Sequence, residues 1–411
     1  MAADFTPPDG LRYGALGLPL AFVALPLYVH LPAHYATHFG LSLASLGALL
    51  LAARALDAVV DPWIGRLCDH ALGRPALAWQ LPLAALLLAA GFTGLFFPLP
   101  REPAALLAWA GAGLVLTYFA YSALAVLHQA WGARLGGGAA MQSRVVAWRE
   151  GFALVGVVAA SVLPSAAGFG VTALMLAFTL AVGLVLLSGA PRPAASTGAP
   201  APLALAWRVP EFRRLLAVFL LNGIAAAVPA TLLLFFIDDR LRLPEWQGLF
   251  LASYFAAAVV SLPAWLRVIA RLGQPRAWAL GMALAVAAFG WAALLGEGAR
   301  GGFLAVCVAS GAALGADLAI PGALLAGVIQ RAGFAGRAEG AFFGWWNAAN
   351  KLNLALAAGL ALPLLQLLGY APGQRDAQAL QALSIAYCLL PCALKLAAAA
   401  LLYRHFIAST S

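Results

Sequence analysis

Apolar runs of about 20 residues follow one another from Leu11 to Ile407, and short polar breaks separate them. A helix of that length crosses a hydrocarbon core of about 30 Å. The pattern therefore predicts twelve membrane-spanning helices, at residues 11–32, 42–66, 76–98, 104–130, 144–164, 168–189, 212–237, 247–271, 276–296, 301–328, 338–368 and 378–406.

The composition indicates that these runs have a bilayer as their solvent. Hydrophobic residues make up 64% of the chain and charged residues 9%, and the mean hydropathy is +0.92. An ordinary globular domain is about 25% charged, so this chain cannot cover itself with polar side chains in water. No early stretch combines a basic start, a short apolar run and a small-residue cleavage site, so we expect the first apolar segment to be a retained helix.

The basic residues predict the orientation of the helices. The formal net charge is +9, but the arginines are spread through the breaks and form no stripe with aromatic residues. We therefore interpret them as topology signals and not as a nucleic-acid surface. An even number of spans puts both termini on one side, and most arginines fall in inner breaks if that side is the cytoplasm. The positive-inside rule thus predicts that both termini are cytoplasmic.

The longest break predicts a two-part architecture. Residues 191–214 are rich in Pro, Ala and Ser, and six predicted spans lie on each side of them. The breaks after the second and eighth spans are weakly similar in sequence, as expected if the two halves are related. We predict an N-terminal six-helix half at 1–190, a cytoplasmic linker at 191–211 and a C-terminal six-helix half at 212–411.

Three charged residues lie within the second predicted span. Arg54, Asp57 and Asp61 are three and four residues apart, which puts them on one face of a helix. Each charge costs about 2.5–3.5 kcal/mol at the centre of a membrane helix, so that face must look into the protein. Two carboxylates one turn apart repel each other unless a proton or a cation such as sodium lies between them. The alternative is that the aspartates only pair with arginine to lock helices together.

The eleventh predicted span contains Lys351, one of only two lysines in the chain. A lysine at membrane depth is the expected charge partner of the aspartate pair, and a flexible ammonium can compete with a coupling ion. The alternative is a lysine whose ammonium only snorkels to the membrane surface.

Further polar side chains complete the predicted site. Arg149, beside Trp148 and Glu150, is either a substrate anchor or half of an ion pair. Asp69 and Arg74 follow the second span, where we expect gating or structural contacts. The second half is poorer in polar residues, with Asn222, Tyr254 and Asp317. The remaining candidates for substrate contact belong to the fourth and eleventh spans: Tyr118, Tyr121, Ser122, His128, Trp346, Asn347 and Asn350. A histidine such as His128 is more often a satisfied buried side chain than a proton relay.

The segment from Arg54 to Gly65, Arg-Ala-Leu-Asp-Ala-Val-Val-Asp-Pro-Trp-Ile-Gly, resembles the signature of the glycoside-pentoside-hexuronide:cation symporters, the melibiose permease-like family of the major facilitator superfamily. The resemblance implies a twelve-helix transporter in which Asp57 and Asp61 bind sodium or a proton. It also implies that Lys351 and Arg149 correspond to the family's lysine of the eleventh helix and its substrate-side arginine of the fifth. Pro19 and Ser122 stand where members of the family hold their sugar with acidic side chains.

These observations predict an all-α polytopic membrane protein that acts as a cation-coupled secondary transporter of a small solute, a sugar or a glycoside. The alternative is a sodium-dependent symporter of lysophospholipids or other amphiphiles. Motifs of intramembrane enzymes do not occur in the sequence, and we expect no cofactor other than a sodium or proton coupling ion. We expect a monomer in the cell membrane, the inner membrane of a bacterium, that binds no nucleic acid.

Overall fold

The computed structural model describes residues 5–41, 43–72, 77–193, 202–370 and 374–408. These residues are almost entirely helical, and none of them is in a β-strand. Their contacts form two compact units. The first unit comprises Met1–Arg208 and Ala326–Ala348, and the second comprises Val209–Leu325 and Ala349–Ser411. The boundary at Arg208 falls within the predicted linker, of which residues 194–201 lie outside the described residues.

Among the described residues, the part of the first unit up to Arg208 contains the helices α1 (Pro7–Gly14), α2 (Gly17–Leu25), α3 (Leu31–Phe39), α4 (Leu43–Ala71), α5 (Leu77–Phe96), α6 (Pro103–Arg134), α7 (Ala139–Ser188) and α8 (Leu205–Arg208). A π-helical turn, Pro26–His30, joins α2 to α3. Within α7, Gly168 has φ 78° and interrupts the helix, so the predicted spans 144–164 and 168–189 lie on either side of this break.

The second unit begins with α9 (Pro210–Phe235), α10 (Gln247–Leu272), α11 (Gln274–Ala292) and α12 (Arg300–Ala319). Two further helices are shared between the units, α13 (Pro321–Arg331) and α14 (Glu339–Leu367). The chain ends with α15 (Ala377–Ser384) and α16 (Leu390–Leu402). Three π-helical segments continue the α-helices: Phe236–Leu241 follows α9, Ile385–Leu389 joins α15 to α16, and Tyr403–Ile407 follows α16.

Helices occur at all the positions where apolar runs predict spans. Among the described residues, eight of them are long and apolar enough to cross a membrane. The all-α polytopic membrane fold is therefore confirmed. The count of twelve spans and the cytoplasmic position of the termini stay predictions.

The first helix begins with a local cap. The backbone N–H and the hydroxyl of Thr6 both donate to the Asp9 carboxylate, at 3.0 and 2.6 Å. These two hydrogen bonds lower the pKa of Asp9, because they stabilise its charged form. The carboxylate also lies at the positive end of the helix dipole.

Small residues let α1 and α2 lie directly against α7. A Cβ on Gly14 would lie 2.8 Å from the carbonyl oxygen of Trp148, and one on Gly156 would run into the carbonyl oxygen of Leu18. Close backbone approach through glycine is a common way for membrane helices to associate, since lipid gives them no hydrophobic drive. This contact fixes the position of Trp148, one of the predicted site residues.

Aromatic rings fill the core of the second unit. The rings of Phe236 and Tyr387 stack with centroids 4.2 Å apart, and Phe250 meets Phe303 edge to face at 4.9 Å. All four side chains are buried. Such ring pairs contribute about 0.5–1.5 kcal/mol each beyond the area that they bury.

We expect Gly156→Ala to lower the melting temperature of the purified protein in detergent, because the new methyl group meets backbone that cannot turn aside. The matched control is Gly290→Ala, in the last turn of α11, where a Cβ meets nothing within 4 Å. There the substitution should leave the melting temperature unchanged or raise it, since alanine is the better helix former by about 1 kcal/mol. Equal melting temperatures for the two variants would contradict the close packing of α2 on α7.

Candidate functional site

The predicted cation site lies on α4 in the first unit. Asp57 is 9% exposed and Asp61 is fully buried, so the face that carries both carboxylates looks into the protein. The hydroxyl of Ser122, on α6, donates to Asp57 Oδ1 at 2.8 Å. Two carboxylates and a hydroxyl thus supply oxygen atoms on neighbouring helices.

A small cavity adjoins Asp57. Its volume is about 50 Å³, and Tyr118 of α6 lines its other side. A space of about 10–15 Å³ already holds one water molecule, so this cavity is large enough for water beside the carboxylate, and most of its wall is apolar.

Arg54 lies one turn before Asp57 on α4. Its guanidinium carbon is 5.7 Å from the centroid of the Tyr118 ring, which is within the range of a cation–π contact. The contact orients the positive charge of Arg54 towards the helix that carries Ser122. Tyr118 is itself buried, and Tyr121 follows it one turn later on the same helix.

A pair of amides connects α6 to the beginning of α14. Gln129 Nε2 donates to Asn347 Oδ1 at 3.2 Å. Gln129 Oε1 and Asn347 Nδ2 are buried and have no hydrogen-bond partner among the described residues. One hydrogen-bond acceptor and one donor of the pair therefore remain available. If the oxygen and nitrogen atoms of both amides were assigned the other way round, one acceptor and one donor would still remain.

A buried charge cluster lies at the end of α4. Arg134 donates to Asp69 Oδ1 at 2.7 Å and to Glu339 Oε2 at 2.8 Å, and all three side chains are buried. The backbone N–H groups of Gly340 and Ala341 also donate to the two oxygens of Asp69, at 2.7 and 2.8 Å. The cluster carries two negative charges and one positive charge, and the N–H groups of the first turn of α14 offset the excess.

Three glycines bring α4 and α14 close enough for these contacts. A Cβ on Gly344 would lie 2.6 Å from the carbonyl oxygen of Asp61. A Cβ on Gly65 would run into the carbonyl oxygen of Gly340, and one on Gly340 would run into that of Gly65. The same crossing therefore sets both the charge cluster and the surroundings of Asp61. Sequence reasoning identified Asp69 but not Arg134 and Glu339, because no spacing in the chain relates α6 to α14.

The remaining residues of the predicted site have different surroundings. His128 is fully buried; its Nε2 lies 2.8 Å from the carbonyl oxygen of Tyr13, whose hydroxyl donates to the carbonyl of His128. Both contacts are to backbone carbonyls, which favours a structural histidine, although its Nδ1 is buried without a hydrogen-bond partner among the described residues. Arg149 forms an ion pair with its neighbour Glu150 at 2.6 Å, and both are largely buried.

On α14, Trp346 is buried and belongs to the first unit, whereas Asn350 is exposed and Lys351 half-buried in the second. The expected approach of Lys351 to Asp57 and Asp61 therefore stays a prediction. Arg74 lies outside the described residues.

A second buried ion pair was not predicted. Lys395 of α16 lies 2.8 Å from Asp317 of α12, and Asn222 of α9 accepts from the same ammonium. The only sequence signal was the rarity of lysine in this chain, together with a polar side chain in each of three apolar spans.

Comparison with known proteins identifies the family. The sequence model of the family described as MFS/sugar transport protein matches residues 12–409. A search of curated proteins found no match to the sequence. Because the family and the fold are those of transporters, the chain is a transporter and not an enzyme.

Solved structures of major facilitator transporters are similar in fold over almost the whole chain. A bacterial homologue of the iron transporter ferroportin, in its outward-facing state, is 18% identical with a TM-score of 0.71, covering 98% of this chain and 99% of that one. The transporter FucP, in its outward conformation, is 12% identical with a TM-score of 0.70, over 96% and 99% of the two chains. A variant of FucP, the fucose:proton symporter of E. coli, is 12% identical with a TM-score of 0.66, over 95% and 97%.

We expect Asp69→Asn to lower the melting temperature markedly, because an amide cannot accept from Arg134 and from two backbone N–H groups at once. Breaking a buried charge pair costs about 3–5 kcal/mol. The control is Glu297→Gln, which removes an exposed ion pair with Arg242 that is worth about 0–1 kcal/mol. Similar melting temperatures for Asp69→Asn and Glu297→Gln would mean that the cluster does not hold α4 against α14.

Proposed function

Because the chain belongs to the family of MFS/sugar transport proteins, we propose that it is a cation-coupled secondary transporter that moves a small polar solute, a sugar or a glycoside, by alternating access. Within the superfamily, the Asp57-to-Gly65 segment supports placing it among the glycoside-pentoside-hexuronide:cation symporters. A bacterial inner membrane is the compartment that this function suits.

The observation that carries the proposal is the carboxylate pair on α4. Asp57 and Asp61 are buried one turn apart, and Ser122 donates to Asp57 at 2.8 Å. Two like charges in such a place favour a cation or a proton between them, because either one relieves their repulsion. A coupling ion that is bound and released at this position changes the charge of the transporter's interior in each cycle.

The donor set is compatible with sodium and with a proton. Hard cations prefer oxygen ligands, and carboxylate and hydroxyl oxygens are the groups at this position. Among the described residues, no three His, Cys, Asp or Glu side chains are grouped as a transition-metal site would require. In this proposal Lys351 serves as the competing positive charge when the coupling ion is absent, with Arg54 tempering the repulsion.

Hydroxyl chemistry suits the amide pair of Gln129 and Asn347. A sugar hydroxyl donates one hydrogen bond and accepts others, so a single hydroxyl can satisfy both the free acceptor and the free donor of this pair. The polar and aromatic side chains Tyr118, Tyr121 and Trp346 are the proposed neighbours of the sugar. The name of the family and that of the fucose:proton symporter support the same substrate class.

We propose that the charge cluster of Asp69, Arg134 and Glu339 acts as a gate in this cycle. Arg134 pairs with Glu339, and Asp69 accepts from Gly340 and Ala341, only while the beginning of α14 stays against α4 and α6. Separating α14 from the two helices would expose these charges to water, and hydration would then replace the contacts between them. The cluster can therefore hold one state of the transporter without making the other inaccessible.

A thermal-shift screen of the purified protein tests cation and substrate class together. We expect a sugar or glycoside to raise the melting temperature only with the coupling cation, either sodium in place of choline or a lower pH. A ligand at 100 times its Kd stabilises the folded state by about 2.7 kcal/mol. Asp57→Asn should lose the cation dependence, and the exposed control Glu297→Gln should keep it.

Each of the other outcomes has a defined meaning. Cation dependence that survives in Asp57→Asn would place the coupling site elsewhere. Stabilisation of the wild-type protein that is independent of both sodium and pH would contradict coupling altogether. Stabilisation by lysophospholipids and by none of the sugars would replace the sugar proposal with the amphiphile alternative.

A further inference from the structure

The buried ion pair of the second unit is part of a closed polar network. Lys395 Nζ lies 2.8 Å from Asp317 Oδ2 and 2.8 Å from Asn222 Oδ1. Asp317 Oδ1 accepts from Asn222 Nδ2 at 3.0 Å and from Trp278 Nε1 at 2.8 Å. Four helices, α9, α11, α12 and α16, each contribute one of these side chains. The network is electrically neutral; Lys395 has two partners in it and Asp317 has three.

A cavity of about 140 Å³ lies against this network. Asp317 and Lys395 form part of its wall, and most of the remaining wall is apolar. Aromatic rings dominate that wall: Phe250, Tyr254, Phe255, Phe289 and Tyr387. A cavity of about 150 Å³ with apolar walls is known to hold one benzene molecule, so this space fits a single six-membered ring.

Hydrogen-bonding capacity remains on the wall of this cavity. Tyr254 and Tyr387 both bring a hydroxyl-bearing ring to this wall, and Tyr387 is only 3% exposed. A buried tyrosine normally places its hydroxyl against a partner. The Lys395 ammonium has three N–H groups, and two of them serve Asp317 and Asn222.

We propose that this cavity binds a small uncharged molecule made of one apolar ring and one hydroxyl group. The rings of the wall enclose the ring of the ligand, and its hydroxyl bonds to the third N–H of Lys395 or to a tyrosine hydroxyl. Charge excludes the other candidates: because the Asp317–Lys395 pair is already neutral, an anion or a cation would leave one uncompensated charge in an apolar site. No residue of α4 belongs to the wall of this cavity.

Fluorine NMR of 4-fluorophenol with the purified full-length protein in detergent tests the proposal. We expect saturable binding to the wild-type protein, weaker binding of fluorobenzene, and none of 4-fluorobenzoate at neutral pH. Tyr387→Phe keeps the ring and removes only the hydroxyl, so it should weaken 4-fluorophenol binding by about 2- to 10-fold if that hydroxyl is the partner. The same loss with Tyr254→Phe instead would assign the bond to Tyr254, and loss with neither would assign it to Lys395.

Ala226→Leu, which fills the cavity, should abolish saturable binding. Ala230→Leu also fills the cavity, from an exposed position in its wall. It replaces Ala226→Leu in the experiment if that variant fails to fold. The matched control is Ala256→Leu, at an exposed position on α10 outside the cavity wall. Equal binding by filled and control variants would mean that the probe enters only the micelle. Absence of binding to the wild-type protein, or equally tight binding of 4-fluorobenzoate, would overturn the proposal.

Discussion

The energetic cost of charge inside an apolar helical bundle governs the structure of this transporter. Nearly every span is apolar, so each ionised side chain at membrane depth needs a partner. Asp57 accepts from Ser122, Asp69 pairs with Arg134, and Lys395 is buried against a carboxylate and an amide. In each case the partner comes from another helix. The buried charges therefore determine which helices lie together as strongly as the glycine contacts do.

These charged groups differ in a way that separates structure from proposed function. The Asp69 cluster joins two carboxylates to a guanidinium and two backbone N–H groups, so charges of opposite sign lie together. The two carboxylates on the central part of α4 instead carry like charges, and one of them adjoins a cavity. A cluster of opposite charges stabilises one arrangement of helices, whereas a like-charged pair makes that arrangement depend on a bound ion. That dependence is the physical basis of the coupling that we propose.

The fold was predictable because span length and hydropathy are local properties of the sequence. The face shared by Arg54, Asp57 and Asp61 was equally predictable, since helical periodicity alone decides it. Contacts between side chains of different helices could not be predicted. The contact of Arg134 with Glu339, for example, depends on a crossing of α4 and α14 that glycines make possible. The role proposed for Asp57 and Asp61 rests on two like charges one turn apart at membrane depth and on the family resemblance; hydropathy alone cannot give it. The family resemblance did not predict the ion pair of Lys395 and Asp317 in the second unit. These two residues are far apart in the sequence, so their spacing does not indicate that they meet.

Gradient-driven uptake into proteoliposomes tests the central claim most directly. The account predicts that the wild-type protein accumulates its substrate only while an inward gradient of the coupling cation exists. It predicts that Asp57→Asn combined with Asp61→Asn inserts normally but accumulates nothing, because removing membrane charges eases insertion and removes the ion site. Accumulation at the wild-type level by this double variant would contradict the account, since coupling would then need neither carboxylate.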